Sequence, residues 1–428
     1  MSDGPDFLLT LGRAARDVGV QPTEVRLRDE ARPGPRRRAD ATGALDPVAT
    51  VVLTESDGTL HWSEPAGQGA PVGRRAAGAA APGRILGQFK FETLPPAAVG
   101  AYLEQLDRVL TPAQGLRRLR GDVLEPVEAP PRRGRVLLLV HGTFSTGDSL
   151  VREIRSTAAG RRLLERADAC YDQVLAFDHP TLSVSPLLNA LDLARAFASS
   201  TARVDLVAHS RGGLVARWWL EALRSSDAPP ARAVLVGSPL AGTSLAAPPR
   251  LRAALDLLTN VGRALTLVTS TAAAAFPFLS VATGLLRILT SLSRLGARTP
   301  LVDAGMALVP GLLGQARVGN NSELLRLRRL HRPSPRYFAV RSRFESDAEG
   351  WRFWRRFVKG TGLAEMGASI VFDGPSDLVV DTSAMADLAD GTQIADVHDF
   401  GPGDGVHHTS YFRRAETLDF VARALELP

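Results

Sequence analysis

The residue best placed to do chemistry in this sequence is Ser210, in the segment Val204-Asp-Leu-Val-Ala-His-Ser-Arg-Gly-Gly213. An apolar strand pattern precedes it and a glycine-opened helix pattern follows it, as in the nucleophile elbow G-x-S-x-G. Ala208 stands at the first glycine position, and Gly212 keeps the second. So sharp a turn requires small neighbours and lifts the hydroxyl over the edge of the sheet. The pattern predicts a serine nucleophile for acyl transfer.

A second segment, Arg135-Val-Leu-Leu-Leu-Val-His-Gly-Thr-Phe144, supplies the other half of such a site. Its continuous apolar run is typical of a strand buried on both faces, and the run ends in His-Gly. In this arrangement the backbone amide of Thr143 would converge with that of Arg211, the residue after the nucleophile, on a developing alkoxide. The sequence therefore predicts an oxyanion hole made by Thr143 and Arg211.

With these motifs the chain resembles the α/β-hydrolase superfamily, and within it the bacterial lipase-like serine hydrolases, in the branch of triacylglycerol lipases and GPI inositol-deacylases. The resemblance covers residues 134–428. It includes Ala233-Val-Leu-Val-Gly-Ser-Pro-Leu-Ala-Gly-Thr243, which is similar to the strand and turn after the nucleophile helix of lipases. It implies an α/β-hydrolase fold, with a mostly parallel, doubly wound sheet and a helical cap or lid insertion.

The triad of this fold follows the chain order Ser, Asp or Glu, His. Residues 368–381 read as a strand running into a turn, and Asp377-Leu-Val-Val resembles the acidic loop of lipases. The resemblance implies that Asp377 is the acid. Asp373 and Asp381 stay as alternatives, because either aspartate could cap its own turn.

The base is expected on a loop between the last strand, predicted over Thr392–His398, and a C-terminal amphipathic helix over 415–425. This loop contains His407-His408-Thr-Ser-Tyr-Phe412. Related lipase-like sequences carry the base as H-x-x-Tyr/Leu-Phe, and the resemblance therefore implies His408. His407 remains the alternative.

No metal or cofactor is expected. His407 and His408 are adjacent and so point in different directions, and no third ligand stands nearby at helical spacing, which argues against zinc. The sequence also lacks G-x-x-x-x-G-K-[ST], a strand-linked G-x-G-x-x-G, H-E-x-x-H and C-x-x-C.

The elements that must position these residues lie in residues 131–428, predicted to be the α/β-hydrolase domain. Within it, residues 248–316 form an apolar stretch too long for a simple connection and are predicted to be a helical cap or lid. Residues 264–286 carry no charge, yet Pro277 and Gly284 interrupt them, which favours a lid over a membrane span. A lid with an apolar underside predicts a long or bulky acyl group.

Residues 1–130 are predicted to be a small, partly flexible α+β region of unknown role. Asp57-Gly58 between two apolar runs predicts a β-hairpin over 49–62. A stretch rich in Pro, Gly and Ala at 66–83 predicts a flexible connection. An apolar period of 3.6 over 95–110 predicts a helix.

The 428 residues, 45% of them hydrophobic, suffice for a large core. A single Cys170 suits a reducing compartment, and the N-terminus lacks a signal-peptide pattern. A cytoplasmic location is expected, with peripheral membrane contact through the apolar cap as the alternative. The net charge of +6 comes almost entirely from arginine, and the clusters at 36–38 and 117–120 lack interleaved aromatic residues, so no nucleic-acid partner is expected.

These patterns together predict a serine hydrolase that cleaves lipid-like or other apolar carboxylic esters through an acyl-enzyme. An amidase, a thioesterase or an acyltransferase of the same fold is one alternative. A non-catalytic protein that binds a membrane or a partner is the other, and it alone predicts an unreactive serine.

Overall fold

The structure is a computed structural model. It describes residues 5–23, 48–63, 83–225, 227–246, 251–268, 275–294, 309–330, 335–358, 371–372, 374–388, 393–403 and 405–428. The chain divides into two compact units, each made of two stretches. One unit comprises Met1–Val99 and Arg252–Gly305, and the other comprises Gly100–Leu251 and Met306–Pro428.

The described part of the chain contains twelve strands. They are β1 (Gln21–Thr23), β2 (Val48–Ser56), β3 (Thr59–Ser63), β4 (Arg84–Glu92), β5 (Gly115–Arg120), β6 (Val123–Pro126), β7 (Arg135–Val140), β8 (Gln173–Asp178), β9 (Arg203–His209), β10 (Arg232–Val236), β11 (Arg336–Phe344) and β12 (Ile394–Gly403).

Helices alternate with the strands of the larger unit. The α-helices are α1 (Pro5–Asp17), α2 (Val99–Leu110), α3 (Gly147–Arg155), α4 (Ala158–Cys170), α5 (Pro186–Ala196), α6 (Gly212–Arg217), α7 (Leu251–Val268), α8 (Phe276–Arg294), α9 (Pro310–Leu313), α10 (Ser322–Arg328) and α11 (Ala415–Ala424). A π-helix (Trp218–Leu223) continues α6, and short 3-10 helices occupy Pro96–Ala98, Ser244–Ala246, Val318–Asn320, Glu349–Phe357, Thr382–Met385 and Tyr411–Arg413.

The larger unit is built on one sheet, with strand order β12-β11-β10-β9-β7-β8-β5-β6. Strands β7 to β12 run parallel to one another, and β5 is antiparallel to both β8 and β6. With helices on both faces, this is the mostly parallel, doubly wound sheet of the α/β-hydrolase fold. The predicted fold class is confirmed.

The apolar run of β7 is explained by its position in the centre of that sheet. Val136, Leu138 and Val140 pack into the core on one face, while Leu137 and Leu139 pack into the core on the other. Because helices cover both faces, every one of these positions is buried and apolar.

The connections around β7 fix where a site can form. The chain leaves β7 for β8 on one side and later returns to β9 on the other. Such a reversal opens a crevice at the carboxyl ends of the strands. Thr143 follows β7 at this edge and Ser210 follows β9, so the topology alone brings the two predicted motifs together.

The other unit contains an antiparallel sheet of order β1-β4-β2-β3. Strands β2 and β3 form the predicted hairpin, with Asp57 and Gly58 both at positive φ, as a tight type I′ turn requires. Helix α7 is joined to β3 by polar contacts. Asp256 accepts a hydrogen bond from the backbone amide of Trp62 at 2.9 Å, and Asn260 both accepts from and donates to the backbone of Leu60.

The structure divides the chain differently from the predicted boundaries at two places. Strands β5 and β6 precede the expected boundary at residue 130 but lie in the large sheet, because β5 pairs with β8. Helices α7 and α8, within the expected lid at 248–316, group with the strands of the smaller unit. A lid function for 248–316 stays a prediction.

Three local predictions can also be compared with the structure. Strand β12 extends beyond His398, the predicted end of the last strand, to Gly403. Apart from Gly83, the predicted flexible connection at 66–83 lies outside the described residues. Among the helices that the structure describes, none is long and apolar enough to span a membrane.

Candidate active site

Ser210 stands on a strained turn directly after β9. Its φ of 53° lies in the left-handed region, which is costly for a residue with a side chain. Two backbone hydrogen bonds hold the turn: the amide of Ser210 donates to the carbonyl of Val236 at 2.9 Å, and the amide of Gly213 donates to the carbonyl of Ser210 at 3.0 Å. This is the elbow geometry that the sequence predicts.

Each position next to Ser210 that carries a small residue is restricted by a different steric contact. A Cβ on Gly212 would lie 2.5 Å from the carbonyl oxygen of Val140, and a Cβ on Gly213 would overlap Ser238. Ala208 is fully buried in β9, opposite Val140 and Leu235. The sheet accommodates its methyl group, so alanine is tolerated where the usual pattern has glycine.

The structure brings Ser210, His408 and Asp377 into one hydrogen-bonded chain. Ser210 Oγ lies 2.9 Å from His408 Nε2, and His408 Nδ1 lies 2.8 Å from Asp377 Oδ2. All three side chains are buried. Since a carboxylate only accepts, Nδ1 carries the proton and Nε2 is free to accept one from the serine.

The loop that carries Asp377 donates backbone hydrogen bonds to the Asp377 carboxylate. Asp377 Oδ1 accepts hydrogen bonds from the backbone amides of Val379 at 3.1 Å and Val380 at 2.8 Å. Leu378, between Asp377 and Val379, has a φ of 85°. The amide of His408 donates to the carbonyl of Asp377 at 2.9 Å. The loop is therefore tied both to its carboxylate and to the segment that carries the base.

The alternative acids have other surroundings. Asp381 accepts hydrogen bonds from the amide and the hydroxyl of Ser244 and from Arg317 Nη2 at 2.8 Å. It therefore anchors the segment after β10 rather than the histidine. Asp373 lies outside the described residues.

The alternative base, His407, has its own partners as well. Its Nδ1 lies 3.1 Å from Thr409 Oγ1, and its ring packs against Trp351 with centroids 5.1 Å apart. Burial lowers the pKa of His407 to about 4, so its ring is neutral at physiological pH. It is His408, and not His407, whose ring meets Ser210.

Two residues that touch this chain of groups have no predicted role. His209, immediately before the nucleophile, donates from Nε2 to the carbonyl oxygen of His408 at 3.0 Å, and burial lowers its pKa to about 3. Tyr411 donates its hydroxyl proton to Asp377 Oδ2 at 3.0 Å. Both lie inside quoted motifs, yet only the fold shows their partners.

The loop after β7 lies directly against the nucleophile. A Cβ on Gly142 would be 2.6 Å from Cβ of Ser210, so only glycine permits this approach. Thr143 follows, and its hydroxyl donates to Gln315 Oε1 at 3.1 Å. Gln315 in turn donates from Nε2 to the carbonyl of Gly311 at 2.8 Å. No sequence signal connects Thr143 with Gln315, 172 residues away.

Buried polar groups also contact the loop after β7. Asp178 at the end of β8 accepts a hydrogen bond from the amide of Gly147 at 2.6 Å and another from Arg117 Nη1 at 3.1 Å. His141 is buried, stacks on His179 with ring centroids 4.2 Å apart, and has its pKa lowered by burial. These contacts give His141 a loop-shaping position.

The side chain of Arg211 is completely buried beside the elbow. Its Nη2 donates to the carbonyl of Val184 at 2.5 Å and to Asn189 Oδ1 at 2.7 Å. Burial lowers the pKa of Arg211 to about 10, which still leaves the guanidinium charged near neutrality. This guanidinium fastens the residue after the nucleophile to the loop that precedes α5.

Metal ligands do not cluster in the part of the chain that the structure describes: no group of three or more His, Cys, Asp or Glu side chains there is arranged to hold an ion.

Comparison with known protein families identifies the chain's relatives. The family described as "Domain of unknown function (DUF7379)" matches residues 114–426, which is more than half of the chain. The chain belongs to this family. The DUF7379 match begins one residue before β5 and ends just after α11, so it spans every strand of the large sheet. No curated protein matches the chain.

Several solved structures are similar to the chain at low identity. The mature lipase BlEst2 of Bacillus licheniformis is 17% identical, with 71% of this chain and 96% of that chain covered and a TM-score of 0.35. Lipase 1 of Pelosinus fermentans is 14% identical, with 66% and 98% covered and a TM-score of 0.38. The wild-type Vlm2 thioesterase domain is 13% identical, with 73% and 98% covered and a TM-score of 0.34.

Proposed function

We propose that this chain is a serine hydrolase that cleaves carboxylic esters through a Ser210, His408 and Asp377 triad. The observation that carries the proposal is the continuous hydrogen-bonded chain from Ser210 Oγ through the imidazole of His408 to Asp377, on a strained elbow. A nucleophile bonded to a base, which is in turn oriented by a carboxylate, is the arrangement that activates serine.

Acylation begins when His408 Nε2 takes the hydroxyl proton of Ser210 as Oγ attacks the ester carbonyl carbon. The carbonyl π electrons move to oxygen, where we assign the amides of Thr143 and Arg211 as donors. Asp377 stabilises the imidazolium. The intermediate collapses as the bond from carbon to the alcohol oxygen breaks. His408 returns the proton to that oxygen, so the alcohol leaves and an acyl-Ser210 ester remains.

Deacylation repeats these steps with water. His408 takes a proton from water, the hydroxide oxygen bonds to the acyl carbon, and the same two amides hold the oxyanion. The bond to Ser210 Oγ then breaks, His408 reprotonates that oxygen, and a carboxylic acid is released. Each cycle consumes one ester and one water and gives one acid and one alcohol.

For the substrate we propose an ester with an apolar, lipid-like acyl group, on the strength of the apolar sequence of the insertion at 248–316. Contact of the same insertion with a membrane surface would bring such an ester to the enzyme. Amides, thioesters and transfer to an alcohol acceptor use the same triad and are separated only by substrate tests.

The test is hydrolysis of p-nitrophenyl esters from acetate to palmitate by the wild-type chain and by Ser210→Ala, together with matched amide and thioester substrates. The proposal predicts ester cleavage that Ser210→Ala abolishes and that improves with acyl length before solubility limits it. Cleavage that survives in Ser210→Ala, or activity on amides alone, would contradict it.

A further inference from the structure

Tyr411 occupies an unusual position behind the proposed triad. Its hydroxyl donates to Asp377 Oδ2 at 3.0 Å, and His408 Nδ1 donates to that same oxygen at 2.8 Å. The other carboxylate oxygen, Oδ1, is taken by two backbone amides. Each carboxylate oxygen therefore accepts two hydrogen bonds, and the tyrosine shares Oδ2 with the histidine.

The Asp377 carboxylate fixes the direction in which Tyr411 donates, and Ser342 is a further neighbour of the tyrosine hydroxyl. Ser342 Oγ, on β11, lies 2.8 Å from the tyrosine hydroxyl, and both side chains are buried. Asp377 can only accept, so Tyr411 donates to it and Ser342 donates to Tyr411. Burial and the adjacent carboxylate raise the pKa of Tyr411 well above its usual value, so the hydroxyl keeps its proton.

The ring of Tyr411 is also held sterically. Gly237 follows β10 with a φ of 56°, and a Cβ there would lie 2.7 Å from the tyrosine ring and 3.3 Å from Asp377 Oδ2. Tyr411 comes only three residues after His408, so one short segment carries both the base and the hydroxyl that holds the acid.

We propose that Tyr411 is a positioning residue of this site, which fixes the Asp377 carboxylate and, by drawing on the oxygen shared with His408, moderates how strongly that carboxylate stabilises the imidazolium. The inference rests on the proposed function. Near Tyr411 and Asp377 the described residues also include the titratable or charged groups His209, His407, Glu153, Arg413 and Arg414. Each of them is retained in the variants below.

The test compares Tyr411→Phe, which removes one oxygen atom, with Tyr337→Phe. Tyr337 is a matched control because it is equally buried and donates to Glu221 at 2.7 Å, outside the site.

In Tyr411→Phe, kcat/KM for an ester should fall about tenfold, because the Asp377 carboxylate loses roughly one of the hydrogen bonds that position it. The acidic limb of the pH–rate profile should move to higher pH, because the unshared carboxylate holds the protonated base more strongly. Tyr337→Phe should change neither quantity.

A second readout does not depend on turnover. With ¹⁵N-labelled histidine, the far-downfield proton resonance of the His408 Nδ1–H should move further downfield in Tyr411→Phe, because the hydrogen bond to Asp377 strengthens. An unmoved resonance with an unchanged pH profile would contradict the positioning role of Tyr411. Its hydroxyl would then only satisfy the hydrogen bonding of buried groups. A wild-type chain without esterase activity would instead refute the proposed function, while the resonance would still decide the role of Tyr411.

Discussion

The backbone of Gly142 lies so close to Ser210 that a methyl group at position 142 would stand 2.6 Å from Cβ and 3.2 Å from Oγ of the serine. Gly142→Ala must therefore push the loop that carries Thr143 away from the nucleophile. We expect kcat to fall on the order of a hundredfold or more, the usual effect of losing one oxyanion donor. Steady-state kinetics on a p-nitrophenyl ester measures this.

The matched control is Gly100→Ala, because no heavy atom lies within 4 Å of a Cβ at that helical position. This variant should keep full activity and gain up to about 1 kcal/mol of stability from the better helix propensity of alanine. Equal activities of Gly142→Ala and Gly100→Ala would show that the loop after β7 does not contribute to turnover.

Asp377→Asn and Asp381→Asn distinguish the two described candidates for the acid. Asp377→Asn removes the charge that faces His408 and should lower kcat on the order of 10⁴-fold. Asp381→Asn weakens contacts to Ser244 and Arg317 only, so it should cost about 1–3 kcal/mol of unfolding free energy and less than about tenfold in kcat. Kinetics and urea unfolding on both variants would reverse the assignment if the larger kinetic loss belonged to Asp381→Asn.

The sequence predicts those parts of the site whose determinants are local. The elbow requires small residues next to Ser210, and the central strand β7 is apolar at each position because both of its faces are covered. Each of these signals lies within a segment of about ten residues, so periodicity and residue size are sufficient to find it. The acid and the base then follow from chain order and from the resemblance to lipases.

The remaining features depend on contacts between distant segments. Tyr411 meets Asp377 across 34 residues, and Thr143 meets Gln315 across 172. Helix α7 joins the N-terminal hairpin through Asp256 and Trp62, which are 194 residues apart. A single sequence has no local pattern that pairs such residues, so neither the contact of Tyr411 with Asp377 nor the composite smaller unit could be predicted.

Asp107 holds the loop after β8 through several hydrogen bonds. Its buried carboxylate accepts hydrogen bonds from the amides of Thr181, Leu182 and Ser183 at 2.7 to 2.9 Å. Asp107→Ala leaves these amides without their acceptor and should lower the free energy of unfolding by about 3 kcal/mol or more.

Asp192→Ala is the surface control for Asp107→Ala, because Asp192 makes only an exposed pair with Arg195 and should change stability by less than about 1 kcal/mol. Urea denaturation compares the two variants. Similar urea midpoints for the two variants would contradict the stabilising role of Asp107.

Glu153 on α3 introduces a pH dependence of stability. Burial, partly offset by Arg413 and His408, raises its pKa from 4.5 to about 7. Because the folded state holds this proton more tightly than the unfolded state, the stabilising contribution is complete below pH 4.5 and is lost as the pH rises through about 7. Glu153→Gln mimics the protonated form and should be more stable than the wild type at about pH 8, but not at about pH 4.

Urea midpoints of the two proteins at both pH values measure this difference. A stability difference that is the same at each pH would contradict the raised pKa of Glu153.

Activation of Ser210 by His408 and Asp377 is the basis of the proposed hydrolase activity. The most direct measurement is reaction of the folded chain with a fluorophosphonate, followed by peptide mass analysis, for the wild type, Ser210→Ala and His408→Ala. An activated Ser210 should take up label stoichiometrically in the wild type, and neither variant should be labelled. Wild-type protein that stays unlabelled, with and without detergent to expose the site, or label that persists in Ser210→Ala, would contradict it.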